Sequence, residues 1–144
     1  MIFLSSITSL FTAQLLKGII YLLKSRNRKT RDLVEIVTWR TGGMPSSHAA
    51  LVSALSTSIA FAEGITSNMF VFSFWFAMVV LRDALGVRRS AGMLAKALNS
   101  LGKKMAENNG LDFNAVKEIQ GHTPLEVVVG GLLGVFISAG LYLL

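Results

Sequence analysis

The stretch Gly42-Gly43-Met44-Pro45-Ser46-Ser47-His48-Ala49-Ala50 stands between a basic loop and an apolar run. It places a flexible glycine pair, two hydroxyls and an imidazole where a helix begins. A helix start presents unpaired N–H groups and a partial positive charge, and both suit phosphate. The sequence on either side puts that site at the surface of a membrane.

Four apolar runs cover about residues 2–23, 47–63, 69–87 and 125–144. A helix rises ~1.5 Å per residue, so a hydrocarbon layer of ~30 Å takes about twenty residues. The first, third and fourth runs meet that length. The second is short and rich in Ser, Thr and Ala; it leans on its neighbours or sits in part at the interface. With 52% apolar and 15% charged residues, the chain is too apolar for a soluble domain of 144 residues. The net charge of +6 would also suit a nucleic-acid binder, but such a protein needs no long apolar runs, so nucleic acid is not expected as a partner. The expected fold is all-α: one membrane-embedded domain over 1–144, a polytopic helix bundle of about four spans.

Thirteen of the fourteen Lys and Arg fall within 24–40 and 82–117, and Lys17 is the exception. The turn Glu63-Gly64-Ile65-Thr66-Ser67-Asn68 has no basic residue. By the positive-inside rule, loops 24–46 and 88–124 are cytoplasmic and both chain ends lie near the outer face. The apolar start lacks a basic n-region and a small-residue cleavage site, so it reads as a retained span rather than a secretory signal. There is no cysteine, which excludes disulfides, thiol catalysis and cysteine-held metals.

The second loop carries Ala91, Leu94, Ala95, Leu98, Leu101 and Met105 at helical spacing, with Lys96, Lys103 and Lys104 elsewhere on the surface. That pattern predicts an amphipathic helix on the bilayer surface, stopped by Asn108-Asn109-Gly110. Asp112 is placed to cap a short helix through Val116 and Ile119. Small residues recur every four positions at Ala50, Ala54, Ser58 and Ala62, and again at Gly130, Gly134 and Ser138. Faces of this kind let helices approach closely in lipid, so the second and fourth spans are expected to pack together.

Three polar groups fall at helix ends on the cytoplasmic side: Ser46, Ser47 and His48; Arg82, Asp83, Arg88 and Arg89; and His122 with Glu126. Together they nearly suffice for phosphoryl transfer. An imidazole can attack phosphorus, and a carboxylate one turn away can hold its ring. A second imidazole can protonate the leaving oxygen, while guanidinium and helix-start N–H groups hold the charge. Each element also has a plainer reading. Ser46 and Ser47 suit an N-cap. Thr123-Pro124-Leu125-Glu126 matches a capping box, in which Glu126 bonds backbone rather than His122. Arg88 and Arg89 suit head-group anchors. Asp83 calls for a partner, with Arg82 or Arg88 in reach. Lys17 either snorkels to the head groups or reaches the phosphate site.

Three segments carry a family resemblance: Gly42-Gly43-Met44-Pro45-Ser46-Ser47-His48, then Asp83-Ala84-Leu85-Gly86-Val87-Arg88-Arg89-Ser90-Ala91-Gly92, then Gly121-His122-Thr123-Pro124-Leu125-Glu126-Val127. Ala13-Gln14, Lys17 and Leu98-Asn99 fit as well. The chain resembles the divergent type 2 phosphatidic acid phosphatase family, bacterial and plant membrane proteins related to acid phosphatases and vanadium haloperoxidases. Pro45-Ser46-Ser47-His48 is similar to that superfamily's Pro-Ser-Gly-His motif, with Ser47 in place of Gly. His122 and Glu126 are similar to its nucleophilic His and the Asp four residues on. Val116 stands where the motif has Arg, and Arg88 or Arg89 is the expected substitute, with 90–119 as an insertion. The superfamily's Lys followed by Arg-Pro is absent; Lys24 and Arg31 have the spacing but Asp32 follows, and Lys17 is the preferred stand-in.

The resemblance implies a reduced phosphatase-like bundle, or two chains associating as a homodimer to complete one. It implies a metal-independent, cofactor-free phosphatase of the bacterial inner membrane, acting on a lipid or isoprenoid phosphate through a phosphohistidine. His122 would attack, Glu126 orient it and His48 protonate the leaving group. Lys17, Gly43, Ser46, Ser47, Asp83, Arg88 and Arg89 would form the binding site, which phosphate or vanadate would occupy. The alternative is a catalytically degenerate phospholipid-binding or lipid-translocating membrane protein.

Overall fold

The computed structural model describes residues 1–24, 43–110, 112–118 and 121–144. Gly42, Ile119 and nearly all of the first basic loop therefore lie outside the described residues. Within them the chain is helical, with no strand: α1 Ile2–Lys24, α2 Ser47–Glu63, α3 Asn68–Leu85, α4 Val87–Asn109 and α5 Pro124–Leu143.

α2 is the centre of the bundle and packs against α1, α3 and α5. Its polar contacts fix the direction of each neighbour. Ser58 meets Ser5 near one end of α2, and Lys17 meets Ser47 at the other, so α1 runs antiparallel. Ser73 Oγ donates to Ser56 Oγ at 3.4 Å, and α3 is antiparallel too. The Ser46 amide donates to the Glu126 carbonyl at 2.9 Å and Ser58 bonds Ser138 at 2.7 Å, which makes α5 parallel to α2.

The expected pairing of the small-residue faces is present. A Cβ at Gly130 would collide with the Ser46 carbonyl, and one at Gly134 with the Ala50 carbonyl. Only glycine lets the two backbones come that close, and close approach is what drives helix pairing in lipid. Ala62 departs from the expectation: it is exposed, because beyond Ser138 the two helices are joined by the stacked rings of Phe61 and Tyr142 instead.

The interior is built of small side chains, among them Ser5, Ser9, Ala13, Ala50, Ala54, Ser58 and Ser138. The large apolar ones, such as Phe3, Phe72, Trp75 and Phe136, point outward. A surface of this kind is unstable in water and at home in hydrocarbon. Among the described residues three stretches are long and apolar enough to cross a membrane, at Ile2–Leu23, within Asn68–Asn108 and at Pro124–Leu143. With 17 residues α2 is shorter, and it satisfies its hydroxyls inside the ring of its neighbours. The protein is a helical membrane bundle.

Two boundaries differ from the sequence expectation. The third span stops at Leu85, where the Gly86 amide closes on the Arg82 carbonyl at 2.8 Å and the chain turns into α4. The helix expected after Asp112 is not formed; residues 112–118 lie as a strap against α4. Asn99 takes both backbone groups of Val116, its amide donating to the carbonyl at 2.9 Å and its oxygen accepting from the N–H at 2.8 Å. The same amide reaches the Glu118 carboxylate, and the Phe113 ring covers Gly102. Backbone groups held this way cannot close helical bonds. The predicted stop of α4 is present, with Gly110 as its left-handed cap.

Candidate functional site

Three helix ends meet at one end of the bundle: the start of α2, the end of α3 and the start of α5. An apolar cluster of Ala49, Ala84 and Val127 joins them, with Leu81 and Leu85 against it. Each member of that triad is the chain neighbour of a polar residue, His48, Asp83 or Glu126. Packing the apolar partners therefore gathers the polar ones above them.

The turn into α2 is shaped by Gly43, whose φ of +89° lies in the region glycine alone adopts readily, and by a cis bond before Pro45. Ser46 is the N-cap; its hydroxyl accepts from the Ala49 N–H at 3.4 Å and is fully buried, so the capping role is the one it fills here. Ser47 is buried one residue on and accepts from Lys17 Nζ at 3.3 Å. Lys17, 5% exposed, thus reaches across from α1 to the start of α2 rather than out to the head groups. His48, in the first turn of α2, is exposed.

At the start of α5, the two readings of Glu126 hold together. The capping box is complete, and Glu126 Oε2 accepts from the Thr123 N–H at 3.0 Å. The same oxygen accepts from His122 Nδ1 at 3.1 Å. An ionised carboxylate can only accept, so Nδ1 is the donor and the lone pair of the neutral ring lies on Nε2. His122 is 4% exposed. Burial lowers its pKa below the usual histidine value; the bond to Glu126 pulls the other way, and the Lys17 charge adds to the lowering.

Asp83 pairs with Arg88 rather than Arg82, through Nε at 2.7 Å, with both side chains partly open to solvent. Of the two expected arginines it is Arg88 whose charge acts on both histidines. Arg89 contributes backbone: a Cβ at Gly121 would strike its Cα, so the second and third motifs touch there. His48 lies within electrostatic range of Arg88, His122, Lys17 and Asp83, and Lys17 within that of Glu126. The two imidazoles, the lysine and the arginine from four separate stretches of chain thus share one neighbourhood. Cationic groups of this kind favour an anion, and the ring that Glu126 holds is a nitrogen nucleophile by type.

Asn99 was legible only as part of the resemblance. The signal for its role is its place in the stripe Gly92, Ala95, Asn99, Gly102, Ala106: one amide among small residues on the face that the strap covers. A second feature lies deeper in the bundle. A groove of about 470 Å³ runs between α2 and α3, lined by Ser53, Thr57, Phe61, Phe74, Met78 and Val135 among others. It reaches Leu81, which also packs against the apolar cluster beneath the site.

Comparison with known proteins identifies a family. The family model described as the divergent PAP2 family matches residues 1–137. The chain is 39% identical over 146 residues to the uncharacterized membrane protein YuiD of Bacillus subtilis (strain 168), covering 94% of this chain and 89% of that protein. No solved structure matches. A family match across nearly the whole chain, with the motif residues gathered at one end of the bundle, means that the protein belongs to the divergent PAP2 family.

Proposed function

We propose that this protein is a membrane-bound phosphatase that hydrolyses a lipid or isoprenoid phosphate at the cytoplasmic face of the bacterial inner membrane. The observation that carries the proposal is the buried His122–Glu126 pair, which directs the ring through Nδ1 and lies within the electrostatic range of His48, Lys17 and Arg88. His122 Nε2 attacks phosphorus, a phosphorus–nitrogen bond forms and the ester P–O bond breaks. His48 gives its proton to the departing alkoxide. A water deprotonated by His48 then attacks the phosphohistidine and releases inorganic phosphate. Lys17, Ser47 and Arg88 hold the non-bridging oxygens, while Gly43 and Ser46 shape the turn. The groove between α2 and α3 offers an acyl or isoprenoid chain a course along the side of the bundle.

Purified protein should release phosphate from such a substrate in detergent, and His122→Ala should abolish release with the helical content unchanged. Release that survives this substitution would remove His122 from the mechanism.

One observation favours a second reading, binding without turnover. Val116 stands where the wider superfamily has Arg, and its backbone is held by Asn99, while Arg88 is engaged by Asp83. On that reading the protein binds vanadate or phosphate with an affinity that Lys17→Ala weakens, and no substrate of a broad phosphate-ester panel turns over.

A further inference from the structure

α4 leaves the bundle. Among the described helices it touches only α3, to which it is joined through Gly86. Its small face is covered by the strap, through Asn99 and Phe113. A second face is not covered. Val87, Leu94, Leu98, Leu101 and Met105 form one stripe along the helix, and every member is exposed, Leu94 to 70%. At about 100° per residue, Lys96 and Lys103 stand on the opposite side of the helix from Leu94, and Lys104 stands on its flank. The helix carries five basic side chains against one acid.

We propose that α4 is an in-plane membrane anchor that docks on anionic lipid. Its stripe enters the boundary between head groups and acyl chains, and its basic residues draw it to negatively charged head groups. Three observations select this occupant. The stripe starts at the end of a helix long and apolar enough to span the bilayer, so it begins at the membrane boundary. The strap already fills the face on which another helix would pack closely. The charge distribution, basic opposite apolar, is that of helices lying in the interface plane rather than of a helix–helix seam. The proposal is independent of the phosphatase reading, and its test does not read activity.

The chain has no cysteine, so single introduced cysteines report one position each. Leu98→Cys, Leu101→Cys and Lys96→Cys are labelled with a small fluorophore in the full-length protein, reconstituted in phosphatidylcholine with or without phosphatidylglycerol. Acyl-brominated lipid should quench the labels at 98 and 101 at least about twofold more strongly than the label at 96. The difference should grow with phosphatidylglycerol and shrink with salt. Replacing Lys96, Lys103 and Lys104 together by Gln, in the Leu98→Cys background, should remove the phosphatidylglycerol dependence. Equal quenching at all three positions would overturn the proposal. So would protection at 98 and 101 that appears only with cross-linking between copies, which would make a second chain the occupant.

Discussion

Glu126 Oε2 accepts from both the Thr123 N–H and His122 Nδ1, so one half of the α5 capping box and the orientation of the ring share a single atom. Glu126→Gln keeps the size of the side chain and weakens both bonds. It should lower phosphate release by on the order of 10²-fold, with a smaller change in thermal stability, because a lost cap costs only about 1 kcal/mol. A steady-state assay beside a thermal melt separates the two effects. His122 is also the source of a pH effect. Burial lowers its pKa, so the unfolded chain binds the proton more readily than the folded one. Its contribution to stability is therefore fully present above about pH 6.5, the ordinary histidine value. It is lost as pH falls toward the lowered folded value. The acid limb of kcat/KM should lie below pH 6.5 for the same reason, since Nε2 must be unprotonated to attack. Glu126→Gln removes an interaction that raises the pKa, so in that variant the limb should move lower still. A limb that moves up would mean that Glu126 does not raise the pKa of this ring. Both roles of Glu126 were visible in the sequence, but as competitors; spacing alone gives no reason for one oxygen to serve two donors.

At the scale of the helix, the decisive contacts are those of glycine. Gly130 and Gly134 lie on the backbone of Ser46 and Ala50, whereas Gly140 on the same helix has open space around it. Gly130→Leu or Gly134→Leu must push α5 away from α2 and should destabilise the bundle by at least about 1–3 kcal/mol. Gly140→Leu should be tolerated. Unfolding in mixed detergent micelles tests the contrast, and equal effects at 134 and 140 would contradict the packing described. The Gly130 contact also fixes Ser46, so its loss should reach the site. This interface was readable from the spacing of small residues, because in lipid that spacing has few other uses. The strap was not readable. Val116 and its neighbours carry a helical pattern, and what overrides it is a long-range bond from Asn99, which no local rule contains.

For the whole molecule, α1 and α5 both place their outer termini at the end of the bundle away from the histidines, next to Ser58 and the Phe61–Tyr142 stack. Reporter fusions at Met1 and at Leu144 should therefore report the same side of the membrane, which is the outer side on the proposed orientation. Reporters on opposite sides would refute the order of the spans. Charge distribution and run length made the number and direction of the long helices legible. The position of α2 was less so: a run too short to span reads as marginal in sequence, and becomes the centre because its hydroxyls find partners on three neighbours. The electrostatic proximity of His48 and His122 rests on that central placement, since α2 carries one imidazole to the end of the bundle where α5 presents the other. The most direct test is to react the reconstituted protein with a radiolabelled lipid phosphate, quench it in base and map the labelled peptide. The account predicts a base-stable, acid-labile phosphohistidine at His122 that is absent in His122→Ala. Turnover with no label at His122, or label that persists in His122→Ala, would contradict it.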